Sequence, residues 1–214
     1  TRSGDTFSRK LMTESQKAIE DRVGMTGYAF AKVAVLPEIN EEDRTISLTY
    51  TLEPGRKVYV RRITFFGNFK TRDEVLRREM RLMEGSVLAS DKLERSKIRI
   101  QRLSYIEEIE LETRPVPGTD NQVDIEVSVT ERLSGSFNIG AGFSQAQGLL
   151  FNVGLTQENL MGTGQSLSVN VNTDRANTVY SISHTEPFAT VDGISRTISA
   201  SYRKRDAAEE QIAN

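Results

Sequence analysis

The stretch Val123-Asp-Ile-Glu-Val-Ser-Val-Thr-Glu-Arg-Leu-Ser-Gly-Ser-Phe-Asn-Ile-Gly-Ala-Gly-Phe143 holds two strands with one period and two chemistries. From Val123 to Val129 every second residue is apolar, and Asp124, Glu126 and Ser128 stand between. That is a strand with one buried face and one wet face. From Phe137 to Phe143 the alternation continues, but the intervening residues are Asn138, Gly140 and Gly142. The period stays while the charge disappears, so the chain changes environment near residue 132.

Composition on either side agrees. Residues 1–132 carry 23 Lys/Arg and 23 Asp/Glu, whereas residues 133–202 carry two Arg and four acids. The first part has the charge density of a solvated globular surface. In the second, Leu149, Phe151, Val153 and Leu155 alternate with Asn152, Gly154 and Thr156, and Leu167, Val169 and Val171 with Ser168, Asn170 and Asn172. Tyr180 and Ile182, then Ile198, Ala200 and Tyr202, continue the pattern, with turns at 145–148, 159–164, 174–178 and 192–193. Apolar-out, polar-in strands of about 10 residues are the signature of a membrane β-barrel. A soluble β-sandwich also alternates, but it places Lys, Glu and Arg on its outer face. The smallest membrane barrels need about eight strands, so the five read here predict more beyond residue 214.

Upstream, an internal repeat appears. A shift of 77 residues lays Gly27-Tyr28 over Ser104-Tyr105, and Ile46, Leu48, Tyr50 and Leu52 over Val123, Ile125, Val127 and Val129. Each copy reads as an amphipathic helix, a strand, a turn (40–43; 117–121) and an alternating strand. The second copy is complete. A strand from Lys57 to Phe66 is followed by a Gly67-Asn68 turn, and Thr71-Arg-Asp-Glu74 reads as a capping box. Val75, Leu76, Met80 and Met83 follow at helical spacing, and Ser90-Asp91 caps a second helix bearing Leu93, Ile98, Ile100 and Leu103. The order is β-α-α-β-β. The first copy lacks its opening strand and helix, so the sequence reads as a truncated piece of a longer chain.

The fold expected is therefore α+β: part of a repeat domain over 1–55, a complete one over 56–132, and the first strands of an antiparallel transmembrane β-barrel over 133–214. A formal net charge of −2 gives no general attraction to nucleic acid. No run approaches the ~20 apolar residues of a membrane-spanning helix, so a membrane would be met by strands or at its surface. The sequence has no cysteine and one histidine, His184. That leaves no catalytic residue, metal site or cofactor to assign, and the expectation is a protein that is not an enzyme. His184 reads as a barrel-strand side chain facing the lumen or an interface.

Five motifs carry a resemblance along the whole chain: Val60-Arg-Arg-Ile-Thr-Phe-Phe-Gly-Asn68, Val75-Leu-Arg-Arg-Glu-Met80, Gly135-Ser-Phe-Asn-Ile-Gly-Ala-Gly142, Glu158-Asn-Leu-Met-Gly-Thr-Gly164 and Glu186-Pro-Phe188. In this order they resemble the POTRA (polypeptide-transport-associated) domains and barrel of the BamA family. The Leu-Arg-Arg-Glu-Met run favours that family over its translocation relatives. The resemblance implies the end of a fourth POTRA domain, a fifth, and the start of the barrel. It further implies a barrel in the outer membrane of a Gram-negative bacterium and POTRA domains in the periplasm.

Two sites follow. Arg77, Arg78, Glu79 and Arg81 read either as a solvated helix face with weak ion pairs or as a docking patch for a lipoprotein. The resemblance implies that Glu79 contacts the lipoprotein BamD, first of the lipoprotein subunits. The strand Ser136-Phe137-Asn138-Ile139-Gly140-Ala141-Gly142-Phe143 reads, by the resemblance, as one side of a gate that templates unfolded outer-membrane β-barrel clients. Gly140 and Gly142 would weaken it, as suits a seam that parts. The implied function is assembly of outer-membrane β-barrel proteins, folding and inserting clients by strand templating without ATP, in contact with outer-membrane lipid. The alternatives are a secretion pore of the same architecture, and a peptide-binding module fused to a structural barrel.

Overall fold

The computed structural model describes residues 4, 6–145, 148–190 and 192–205. Packing groups the chain into two units: Thr1–Gly67, Leu76–Arg102 and Glu108–Val129 in the first, and Asn68–Val75, Leu103–Glu107 and Thr130–Asn214 in the second.

The first unit opens with helix α1 (Arg9–Gly24) and the antiparallel hairpin β1 (Lys32–Asn40) and β2 (Thr45–Glu53). The Asn40 side-chain oxygen accepts from the amides of Glu42 (3.0 Å) and Asp43 (3.2 Å), which closes the turn. Gln16 of α1 donates to the Val33 carbonyl at 2.8 Å and holds helix to hairpin.

The complete repeat follows as β3 (Tyr59–Phe66), α2 (Asp73–Arg77), α3 (Ser90–Gln101), β4 (Ile106–Pro115) and β5 (Gln122–Glu131), in the β-α-α-β-β order the sequence implies. Its sheet runs β3-β5-β4, with β3 and β5 parallel and Val60 opposite Val123, Ile63 opposite Ile125 and Phe65 opposite Val127. The alternating residues of β5 face the core. Ile125 and Val127 are fully buried with Val58, Val60, Leu76 and Ile100. Each such side chain adds about 1.5–3 kcal/mol over remaining in water. A register shift between Val60 and Arg62 turns Arg61 onto Asp124, its Nε donating to Oδ1 at 2.8 Å. That hydrogen bond, with the charge behind it, holds the Asp124 carboxyl below its ordinary value.

Three local expectations are corrected. The helix after residue 72 ends at Arg77, so Met80 and Leu82 are buried in irregular chain while Met83 is exposed. The cause is competition from β3. Gly85 donates to the Val60 carbonyl (2.7 Å), Val60 to that of Ser86 (2.9 Å) and Leu88 to that of Val58 (2.8 Å). Chain committed to a strand edge cannot also form helix. The Thr71 capping box does not form either, because the Thr71 amide donates to Glu131 Oε1 at 2.7 Å and Glu74 pairs with Arg72. In α3 the N-cap is Ala89, without a side-chain cap, and Asp91 pairs instead with Arg95. Ile98 lies on the exposed side of that helix.

The second unit is built on five antiparallel strands in sequential order: β6 (Gly135–Ser144), β7 (Gly148–Gln157), β8 (Ser166–Thr173), β9 (Asn177–Glu186) and β10 (Arg196–Arg205). Register lines the apolar parities up into rows, such as Phe137–Leu155–Val169–Ile182–Ala200 and Ile139–Val153–Val171–Tyr180–Tyr202. Most of these side chains are exposed, a face that water would not tolerate and lipid would. The opposite face is mostly Ser, Asn, Thr and Gly, interrupted by Leu150, Val179, Arg203 and Arg205. There Asn152 donates to Asn172 (2.5 Å) and Thr156 lies 3.1 Å from Ser168. Gly154 stands between Asn138 and Asn170, where a Cβ would come within 2.4 and 2.7 Å of their side-chain oxygens.

The β7–β8 turn is fixed by unusual backbone. Asn159 (φ 54) and Met161 (φ 52) are left-handed, flanking Leu160 of a short 3-10 turn. Asn159, itself buried, donates to Thr71 Oγ1 and accepts from the Gly164 amide, both at 2.8 Å, while the Arg72 amide donates to the Gly162 carbonyl at 3.0 Å.

Candidate functional site

The charged patch is arranged differently from a solvated helix face. Glu79 lies just past the end of α2, and its carboxylate turns inward to Arg99 of α3 at 2.6 Å. The side chain of Glu79 is 8% exposed and that of Arg99 33%. Arg77 reaches the other way: it bonds Glu84 at 3.3 Å, donates to the Ile63 carbonyl at 3.1 Å, and stacks 5.2 Å above the Phe65 ring. Glu84 accepts from the Ile63 amide, and that bond with the nearby arginines holds its carboxyl below the ordinary value. Arg78 is half-buried and Arg81 exposed. The sequence named the charges but not the Glu79–Arg99 pair, which joins positions 20 residues apart on different elements. The one available clue was Arg99 on the same helical stripe as Arg95 and Arg102.

The strand 136–143 lies within β6, at one edge of the five-stranded sheet. Natural edge strands are blunted with Lys, Pro or inward charge. Gly135–Ser144 has none of these. A Cβ at Gly140 would meet only Asn152 Cβ at 3.8 Å, and one at Gly142 only Leu150 at 4.0 Å. Packing within this sheet therefore does not require glycine at either position, in contrast to Gly154.

His184 belongs to the apolar face, opposite Leu167 and Ile198, with its Nε2 3.1 Å from Gln165 Oε1. Of the two places the sequence left open, the lumen is excluded. Parity from Ile182 would have given that answer. Beside it Glu186 pairs with Arg196 at 2.8 Å and accepts from Gln165, so this end of the face has a polar rim.

A β-α-α-β-β domain leading into an antiparallel sheet with a bare apolar face defines a class, POTRA repeats joined to a membrane barrel. The POTRA family model, described as surface antigen variable number repeat, matches residues 1–55 and 58–132. The outer membrane protein assembly factor BamA of Neisseria meningitidis serogroup B is 40% identical over 192 residues, 90% of this chain, and that of Buchnera aphidicola 34% over 68% of it. The crystal structure of Haemophilus ducreyi BamA lacking POTRA domains 1–3 superimposes with a TM-score of 0.88 at 38% identity, covering 96% of this chain and 38% of that one. The chain belongs to the BamA family. It spans 24% of the length of each of the two curated relatives. Its strands β6–β10 belong to the outer membrane and its POTRA domains to the periplasm.

Proposed function

We propose that this chain is the barrel-proximal part of an assembly factor that folds and inserts β-barrel clients into the outer membrane, with β6 as the templating strand. The observation that carries the reading is the sequence of β6, Gly135–Ser144, which holds no Lys, Pro or charged residue that would block pairing with an added strand. A client strand entering lipid must pair its backbone amides, since each unpaired group costs several kcal/mol there. A sheet edge supplies those partners by β-augmentation. The exchange of one strand pairing for another needs no nucleotide, so the reading requires no ATP. Residues 1–55 and 56–132 are the end of the fourth and the whole of the fifth POTRA domain. Arg77, Arg78 and Glu79 form the docking patch for a BamD-like lipoprotein. Because Glu79 is held by Arg99, docking through it means that a partner cation replaces Arg99 at the carboxylate.

The test uses single cysteines in the full-length protein at Asn138 and Ile139, which point to opposite faces, with Val169 on interior β8 as control. Strands paired as neighbours have Cα atoms about 4.5–5.5 Å apart, within disulfide range. A stalled client with cysteines in its terminal strand is expected to crosslink to 138 or 139 according to parity, and not to 169. Equal crosslinking from Val169, or none from β6, would remove templating and favour the secretion-pore reading.

A further inference from the structure

The second unit carries three apolar side chains that no core explains: Phe69 is 95% exposed, Leu133 85% and Met161 84%. None lies in the strand rows of the apolar face. Leu133 and Met161 line a cleft of about 530 Å³ together with Lys70, Ser134 and Gln157. Phe69 is the chain neighbour of Lys70. The cleft continues the apolar face rather than the polar one. Gly135 and Gln157 are register partners one row before Phe137 and Leu155, and a Cβ at Gly135 would lie 3.0 Å from Gln157 Oε1. This end of β6 follows the POTRA domain directly, so it is the periplasmic end, where Glu186 and Arg196 also mark the polar rim.

Met161 is held in the left-handed region at φ 52, a conformation unfavourable for a residue with a Cβ, and the result is an apolar side chain directed into the surroundings. Lys70 is exposed; its amide donates to Glu131 Oε2 at 2.9 Å and its charge acts on that carboxylate, so a phosphate in the cleft would share the cation with Glu131. Apolar side chains at the border of a membrane face, next to a cation, match one surface in particular: the headgroup layer of a phospholipid leaflet, with acyl chains below and phosphates above.

We infer that Phe69, Leu133 and Met161 dip into the periplasmic leaflet of the outer membrane and that Lys70 binds the phosphate of an anionic phospholipid in the cleft. The inference rests on the membrane assignment of β6–β10 and is independent of templating. Lipid bound there would anchor the segment 68–75 at the leaflet beside β6.

The test places single cysteines at Met161, Val169 and Ile39 of the full-length protein, labels each with an environment-sensitive fluorophore, and reconstitutes it in phosphatidylethanolamine vesicles with and without phosphatidylglycerol. The 161 probe is expected to shift to the blue and to be quenched by lipids spin-labelled near the headgroup. The 169 probe should be quenched deeper in the bilayer, and the 39 probe should emit as in water. Lys70→Gln should lower the phosphatidylglycerol retained by the purified protein about fivefold, the effect of one cation at an anionic surface, and Lys70→Arg should retain it. An aqueous 161 probe beside a lipid-quenched 169 probe overturns the inference alone, as does a 161 probe shielded only when lipoproteins are added. Aqueous probes at both positions overturn it together with the membrane assignment.

Discussion

Replacing Glu79 by Gln tests how much the enclosed Glu79–Arg99 ion pair contributes to the stability of the POTRA domain. The carboxylate is almost fully enclosed and meets Arg99 Nη2 at 2.6 Å, while Arg99 keeps a third of its side chain in water. Removing one partner of a buried pair costs about 3–5 kcal/mol, and an exposed pair is worth about 0–1. The partial exposure of Arg99 allows water to recover some of the loss, which puts Glu79→Gln near ~2 kcal/mol. In the domain of residues 56–132, each kcal/mol moves the melting temperature by about 4–8 °C, so a fall of about 8–16 °C is expected. Glu79→Lys should fall further, because it sets a like charge beside Arg99. The double variant Glu79→Leu/Arg99→Met should recover most of the loss by removing both charges together. Thermal and urea denaturation followed by circular dichroism measures all three. A shift below about 2 °C for Glu79→Gln would refute the argument and return Glu79 to the surface, free for a partner. A loss of the expected size would mean that lipoprotein-binding defects at this position must first be corrected for folding.

Asn159→Ala should destabilise the full-length barrel by about 3 kcal/mol, since it strands the Gly164 amide, frees Thr71 and leaves alanine in a left-handed conformation; an unchanged unfolding midpoint in detergent would count against it. Gly154→Val should impair barrel formation through its clash with Asn138 and Asn170, whereas Gly140→Ala should be tolerated, as band shifts of heated and unheated samples would reveal. Burial raises the Glu131 carboxyl, but the Thr71 hydroxyl, the amides of Lys70 and Thr71 and the Lys70 charge outweigh it, so its folded value lies below the ordinary 4.5. Its contribution is therefore complete above about pH 4.5 and is lost as pH falls through the folded value, and Glu131→Gln should flatten that acid limb of stability.

Where the sequence was legible, a short period carried the information. The parity of β5 and of β6–β10 survives in the structure because a strand's faces are set by adjacent residues, whatever lies far away. The β-α-α-β-β order was legible for the same reason. What was lost depended on distant partners. Val75, Leu76 and Met80 keep a helical spacing, yet the helix stops at Arg77, because Gly85–Leu88 is drawn to β3 and pulls the chain straight. Thr71 and Glu74 have the spacing of a capping box, yet Glu131 takes the amide from 60 positions away. At the patch, the residue types were visible and the Arg99 pairing was not. The membrane-edge trio Phe69, Leu133 and Met161 escaped notice because isolated apolar residues in turns have no period at all.

The central strand of the POTRA sheet is the last to be made. β5 lies between β3 and β4, and its Val123 pairs with Val60, 63 positions earlier in the chain. Until β5 arrives, β3 and β4 have no common partner, and Ile63, Phe65 and Ile109 have no sheet to bury them. A chain emerging from its N-terminus must therefore be exported past residue 129 before this domain can close. Closure is then complete just ahead of Leu133, and the lipid-seeking strands emerge behind a finished domain instead of beside an open one. A pause in export between β4 and β5 would leave β3 and β4 each with an edge that only β5 fills.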